Sequence, residues 1–362
     1  MALGQPLNPA AQAAQKKLES GLGRVFPGAV LAFGQPAKGE FSTVWAGQRG
    51  LTRDREPVGP DLAYDLASVT KILATAFLAA VAVDRGRLSL SATLGDLGWT
   101  GTVRNLTIQD LLAHRSGLAP WRPFYLLKPD RQDLRASYRQ ALVAEPLAAS
   151  PGQATVYSDL NFLLLGFVLE DLFKGPLGQL FAATVAQPLG LRFLGYGPRS
   201  GPLAPTEDGF RVGGPLGYPG LPFLGPVPLG RVHDDNAAGL NGEAGHAGLF
   251  GDVAGVWGVL AHWAGIMAGR GGLATAKTLG RFLEPLAAKA GAPRALGFDL
   301  GEGPLAGFVG HWGYAGCGLW WDPAQDFGFA LLTNRVHPTA RNDRIASFRR
   351  ELVHLLAVTK VT

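Results

Sequence analysis

The chain has 362 residues, 47% of them apolar, and a formal charge of +5. That apolar share excludes a disordered chain, and the length suits two or three lobes or one large domain with an insertion. The single cysteine, Cys317, excludes an intramolecular disulfide and a C-x-x-C metal or redox site.

The first residues, Met1 to Pro6, have neither the basic region nor the apolar stretch of a secretory leader. Residues 8–22 carry Ala, Gln, Lys and Leu at helical spacing, with Asn8-Pro9 as the cap and first helical residue. Two β-like runs follow, 29–33 and 41–46, with a hairpin turn at 35–39. A third extended piece, 62–67, leads into a helix from Ser68 to about Asp84. Its apolar run, 72–83, is shorter than the roughly 20 residues of a membrane span. A soluble, cytoplasmic protein without a membrane span is the expectation.

The middle of the chain reads as mainly helical. Thr107-Ile108-Gln109-Asp110 resembles a capping box, and Gly117 stops the helix that follows. Residues 160–173 predict a strongly apolar helix. Residues 195–230 hold 10 Gly and 8 Pro without helical or strand period, which predicts a long loop, functional or mobile. Strands are expected again at 308–312, 318–322 and 327–333, and a last helix at about 340–356. The architecture this order predicts is α+β, an α/β/α sandwich. A central antiparallel sheet comes from both chain ends (1–85 and 245–362), and a helical lobe is inserted at 86–244.

Residues Ser68-Val69-Thr70-Lys71 form the only Ser-x-x-Lys of the chain. Positions i and i+3 share a helix face, so Lys71 can reach the Ser68 hydroxyl. The helix start adds free N–H groups and positive potential beside a nucleophile. On this feature alone, a Ser cap with a surface Lys fits equally well.

Two further segments change that balance: Tyr157-Ser158-Asp159, inside 150–162, and His311-Trp312-Gly313-Tyr314, just before a strand pair. Supporting stretches are 111–118, with His114, and the Gly-rich 243–250, with His246. In this order and spacing the chain, over about residues 10–355, resembles the class C β-lactamase, penicillin-binding-protein and esterase family.

The resemblance implies an acylated nucleophile at Ser68, a proton-sharing lysine at Lys71, and Tyr157 as partner base and then acid. It implies oxyanion donors in the backbone N–H groups of Ser68 and Tyr314, beside the strand motif His311-Trp312-Gly313. Two positions depart from the family pattern. Asp159 stands where the family has Asn, which favours a charged lysine. His311 stands where the family has Lys, and neutral imidazole holds a carboxylate less well than ammonium.

The expected activity is a serine hydrolase cleaving an ester or amide of a small molecule or peptide. A non-catalytic penicillin- or muropeptide-binding sensor on the same fold is the alternative. No Walker A loop, Gly-x-Ser-x-Gly elbow or His-Glu-x-x-His is present, so no cofactor is expected. His233-Asp234-Asp235 has metal-binding residue types but not ligand spacing, so no metal is expected either. The sequence pI near 9.4 raises nucleic acid, but the basic residues are scattered. The small groups Lys16-Lys17 and Arg341, Arg344, Arg349, Arg350 read as solvated helix faces, so no nucleic-acid partner is expected. Trp312 and Tyr314 suit either a cleft lining or plain packing, and Cys317 reads as a small buried residue.

Overall fold

The computed structural model describes residues 8–359, apart from 53–54, 128–132, 198 and 216–217. The terminal residues read for a leader, Met1 to Pro6, lie outside the described residues.

Helix α1 (Pro9–Gly21) starts at Asn8, whose side chain accepts from the Ala11 N–H at 2.8 Å. A hairpin follows, β1 (Gly28–Gln35) and β2 (Glu40–Gly47), and then a short strand, β3 (Tyr64–Asp65). The expected helix from Ser68 begins differently. A 3₁₀ turn (Ala67–Val69) and a π-helical segment (Lys71–Ala76) precede α2 (Phe77–Asp84). By length and composition 67–84 could cross a membrane, but 83% of it is buried inside the protein, as in a core helix.

The helical stretch supplies α3 (Ile108–Leu112), α4 (Leu134–Ala144), α5 (Asp159–Phe173) and α6 (Leu177–Phe181). Within 195–230, read as pure loop, β4 (Arg211–Val212) pairs with β5 (Phe223–Leu224). Next come α7 (Asp235–Gly239), β6 (Phe250–Gly251), α8 (Val253–Met267) and α9 (Ala276–Leu283). The chain closes with β7 (Asp299–Leu300), β8 (Val309–Trp312), β9 (Gly318–Asp322), β10 (Phe327–Thr333) and α10 (Ile345–Thr359).

The main sheet has the order β2-β1-β10-β9-β8-β7, and every pairing is antiparallel. The two chain ends meet at β1 and β10, where Ala29 faces Thr333 and Gly34 faces Gly328. Side chains alternate between the faces of β1. Val30 and Ala32 enter the larger core, which includes Val256 and Leu260 of α8. Ala29, Leu31 and Phe33 enter a second core with Leu18 of α1 and Phe348 and Leu352 of α10. A strand buried on both sides explains the unbroken apolar run. Burying a large aliphatic side chain here contributes about 1.5–3 kcal/mol.

Candidate active site

Ser68 sits on the 3₁₀ turn between β3 and the π-helical segment. Ala67, just before it, has φ 47°, a left-handed conformation that costs an alanine about 1–2 kcal/mol. The turn is held by Asp65, which is buried. One carboxylate oxygen accepts the Ala67 N–H at 2.8 Å, the other the His233 N–H at 2.7 Å. Burial raises the Asp65 pKa, and these two N–H groups oppose that rise.

The Lys71 side chain is fully buried. Its ammonium meets three acceptors: Ser68 Oγ at 2.9 Å, the His246 carbonyl at 3.0 Å and Asp159 Oδ1 at 2.8 Å. Burial lowers its pKa and the Asp159 charge opposes that. The Gly-rich 243–250 stretch is stitched along this helix. Leu249 N–H donates to Thr70 Oγ1 at 3.1 Å, and Thr75 donates to the Gly245 carbonyl at 2.6 Å. Gly245 is required there, because a Cβ would come within 2.0 Å of the Phe162 carbonyl.

The Tyr157 hydroxyl donates to Ser68 Oγ at 2.9 Å. Tyr157 is 36% exposed and lines the cleft. Desolvation by the surrounding protein, with the charge of Asp159, holds the phenol above its ordinary pKa. The 111–118 stretch forms the seat of this segment. His114 lies at φ 56° beyond α3, so the helix ends before Gly117. Its Nδ1 accepts the Ser158 N–H at 3.0 Å, and its ring lies 4.7 Å from that of Tyr157. Burial lowers the His114 pKa well below the usual value, so it serves as a neutral, structural imidazole.

The β8 end closes the other side. His311 is buried, its Nδ1–H donates to the Trp312 carbonyl at 2.7 Å, and its ring lies 5.8 Å from that of Tyr157. Burial pushes its pKa down to about 4, so it is neutral at pH 7. Gly313 touches the Ser68 turn, where a Cβ would lie 2.6 Å from the Leu66 carbonyl. Ser68, Tyr157, Asp159, His311, Trp312, Gly313 and Tyr314 all line one cleft of about 450 Å³, and Lys71 lies beneath it. Trp312 also packs inward, its ring centroid 5.5 Å from Trp320.

The segment His233-Asp234-Asp235 disperses its side chains. His233 pairs with Glu207 at 2.9 Å, Asp234 with His246 at 2.8 Å, and Asp235 with Arg211 at 2.5 Å. Among the described residues no cluster of His, Cys, Asp and Glu is placed to hold a metal. Cys317 is buried, and burial pushes its thiol pKa to about 12.

Arg349 corrects the reading of the C-terminal basic group. It is not a solvated helix residue: its guanidinium reaches into the cleft wall and donates to the carbonyls of Gly313 at 2.9 Å and Cys317 at 3.0 Å. Arg335 also lines the cleft, stacked 4.4 Å from the Tyr314 ring. Only its place just after β10 hints at this in the sequence; nothing in the charge pattern singles out either arginine.

Fold and cleft define the class as an α/β/α sandwich of the β-lactamase and penicillin-binding-protein type. The family model described as Beta-lactamase matches residues 12–354, and the chain belongs to that family. A protein of Escherichia coli O157:H7, provisionally named a D-alanyl-D-alanine carboxypeptidase, is 30% identical over 310 residues, 76% of this chain and 69% of that one. A Salmonella typhimurium protein with the same provisional name is 27% identical over 313 residues, 78% of this chain and 71% of that one. Among solved structures, EstCE1, described as a hydrolase with promiscuous acyltransferase activity, has a TM-score of 0.74 at 22% identity, covering 95% of this chain and 98% of its own. A penicillin-binding-protein homologue from Caulobacter crescentus has a TM-score of 0.71 at 18% identity, with coverages of 95% and 98%. These structural likenesses bear on the fold.

Proposed function

We propose that the protein is a serine hydrolase that cleaves an ester or amide through an acyl-enzyme on Ser68. Family membership and the names of relatives support serine hydrolase chemistry in general. One observation carries the residue assignment. Ser68 Oγ lies 2.9 Å from both the Lys71 ammonium and the Tyr157 hydroxyl, at the edge of an open cleft.

Two hydrogen bonds and the Asp159 ion pair surround the nitrogen of a charged Lys71. To act as base, Lys71 must first lose a proton, a loss that burial favours and the Asp159 charge opposes. It then takes the Ser68 proton as Ser68 Oγ attacks the carbonyl carbon. The negative oxygen that forms is held by the backbone N–H groups of Ser68 and Tyr314, each worth roughly 3 kcal/mol. Tyr157 gives its phenol proton to the leaving group and is re-protonated by Lys71, which is left neutral for the next step. Water then repeats the sequence on the acyl-enzyme and frees Ser68.

His311 carries no charge at neutral pH, which favours substrates without a carboxylate at that strand over those that the usual lysine would hold. The relatives' name favours a second reading, D-amino-acid peptides, for the same machinery. The test is turnover of p-nitrophenyl acetate and of a D-alanyl-D-alanine peptide by wild type and Ser68→Ala. Multiple turnovers lost in the variant support the proposal. Full ester hydrolysis by Ser68→Ala sinks it, and a single stoichiometric acylation without turnover supports a sensor instead.

A further inference from the structure

We propose that Arg349 is a positioning residue for the oxyanion site, acting on the Gly313–Tyr314 peptide rather than on substrate. The inference rests on the assignment of Tyr314 N–H as an oxyanion donor. The Gly313 carbonyl and the Tyr314 N–H belong to one amide. In a planar trans peptide those two bonds point in opposite directions, so fixing the oxygen fixes the direction of the N–H. Arg349 Nη2 donates to that oxygen at 2.9 Å and, at 3.0 Å, to the Cys317 carbonyl. The Cys317 carbonyl also accepts the Gly313 N–H at 2.8 Å, so one guanidinium and one carbonyl grip both sides of Gly313.

The next carbonyl is held in the same manner. Arg335 Nε donates to the Tyr314 oxygen at 2.8 Å. The backbone from Gly313 to Tyr314 is thus pinned by two cations, one on each carbonyl.

The charge has a second effect. A charged donor on a carbonyl draws electron density through the amide and makes its N–H a stronger donor. Packing alone does not require it, since the guanidinium lies over the Trp312 ring at 4.3 Å, where a methionine would also fit. Among the described residues Arg349 has no carboxylate at ion-pair distance, and burial pushes its pKa down to about 9. A half-buried guanidinium without a counter-ion is a costly way to fill space.

The test compares wild type, Arg349→Lys and Arg349→Met in ester turnover and in the rate of labelling by a fluorophosphonate, whose P–O oxygen enters the same site. Removing an oxyanion donor outright costs about a hundredfold or more in kcat, so weakening one by Arg349→Met is expected to cost about tenfold. KM stays within about threefold and labelling slows in parallel with kcat. Arg349→Lys, which keeps the charge and one donor, recovers part of the loss. Should the Met variant fail to fold, the Lys variant carries the test through its kcat-to-KM split. Either variant labelling and turning over within twofold of wild type overturns the proposal, as does a loss confined to KM. A wild type that is not labelled at all overturns the Ser68 reading instead.

Discussion

Asp159 is the informative departure, because its removal changes the charge of the proton-transfer unit while leaving its shape. In Asp159→Asn, the Lys71 ammonium loses its carboxylate contact at 2.8 Å. Two unit charges at that distance attract by about 6 kcal/mol at an effective dielectric of about 20. The Asp159 side chain is 18% exposed, so solvent screens roughly half of this and about 3 kcal/mol is left. At about 1.4 kcal/mol per factor of ten, the ratio of charged to neutral lysine at a fixed pH falls about a hundredfold. The same carboxylate charge raises the Tyr157 pKa, so its loss also makes the phenol a readier base. The acid limb of kcat/KM against pH, measured with an activated ester, therefore moves to lower pH in the variant. Stability supplies a second readout. Burial already lowers the Lys71 pKa, and without Asp159 the folded state binds fewer protons than the unfolded state over a wider range. Stability rises with pH wherever that holds, so below the ordinary lysine pKa of about 10.4 the melting temperature climbs with pH over a wider range than in wild type. A folded variant whose acid limb stays put or moves upward would refute the reasoning.

Tyr157→Phe removes the hydroxyl 2.9 Å from Ser68 Oγ and is expected to lower kcat by about 10²–10⁴-fold. Because the ring stays, the melting temperature holds within a few degrees; steady-state kinetics beside a thermal melt would expose a purely structural role. Gly313→Ala drives a methyl to 2.6 Å from the Leu66 carbonyl, so the end of β8 must move off the Ser68 turn. Turnover is expected to drop at least tenfold, and unchanged kinetics would mean that this contact does not set the site. For His311, the folded pKa of about 4 lies below the unfolded value of about 6.5, so stability is lost as pH falls through that window. His311→Gln flattens the melting-temperature curve there, and an identical acid slope would count against a buried neutral imidazole.

What the sequence reveals depends on how local each contact is. The Ser68–Lys71 pair is three residues apart, so helix geometry alone anticipates their meeting, although the π-helical segment that follows leaves no mark in the composition. Tyr157 lies 89 residues from Ser68, and no spacing rule links them; only the resemblance to a family brought them together. The alternation of β1 between two cores explains why its run looks continuous, and why sheet strands were legible while short β4 and β5 were not. His114 follows a capped helix, but its role as seat for Tyr157 depends on a bond across 44 residues, which no local pattern signals. Arg349 was misread for a physical reason: a charged residue at helical spacing is usually solvated, and nothing on α10 signals that this face meets the Gly313 carbonyl.

The most direct test of the central claim is the intact mass of the protein after brief exposure to a fluorophosphonate, with Ser68→Ala alongside. A single adduct on wild type that maps to Ser68 and is absent from the variant is the predicted result. An unlabelled wild type, or equal labelling of Ser68→Ala, would contradict it.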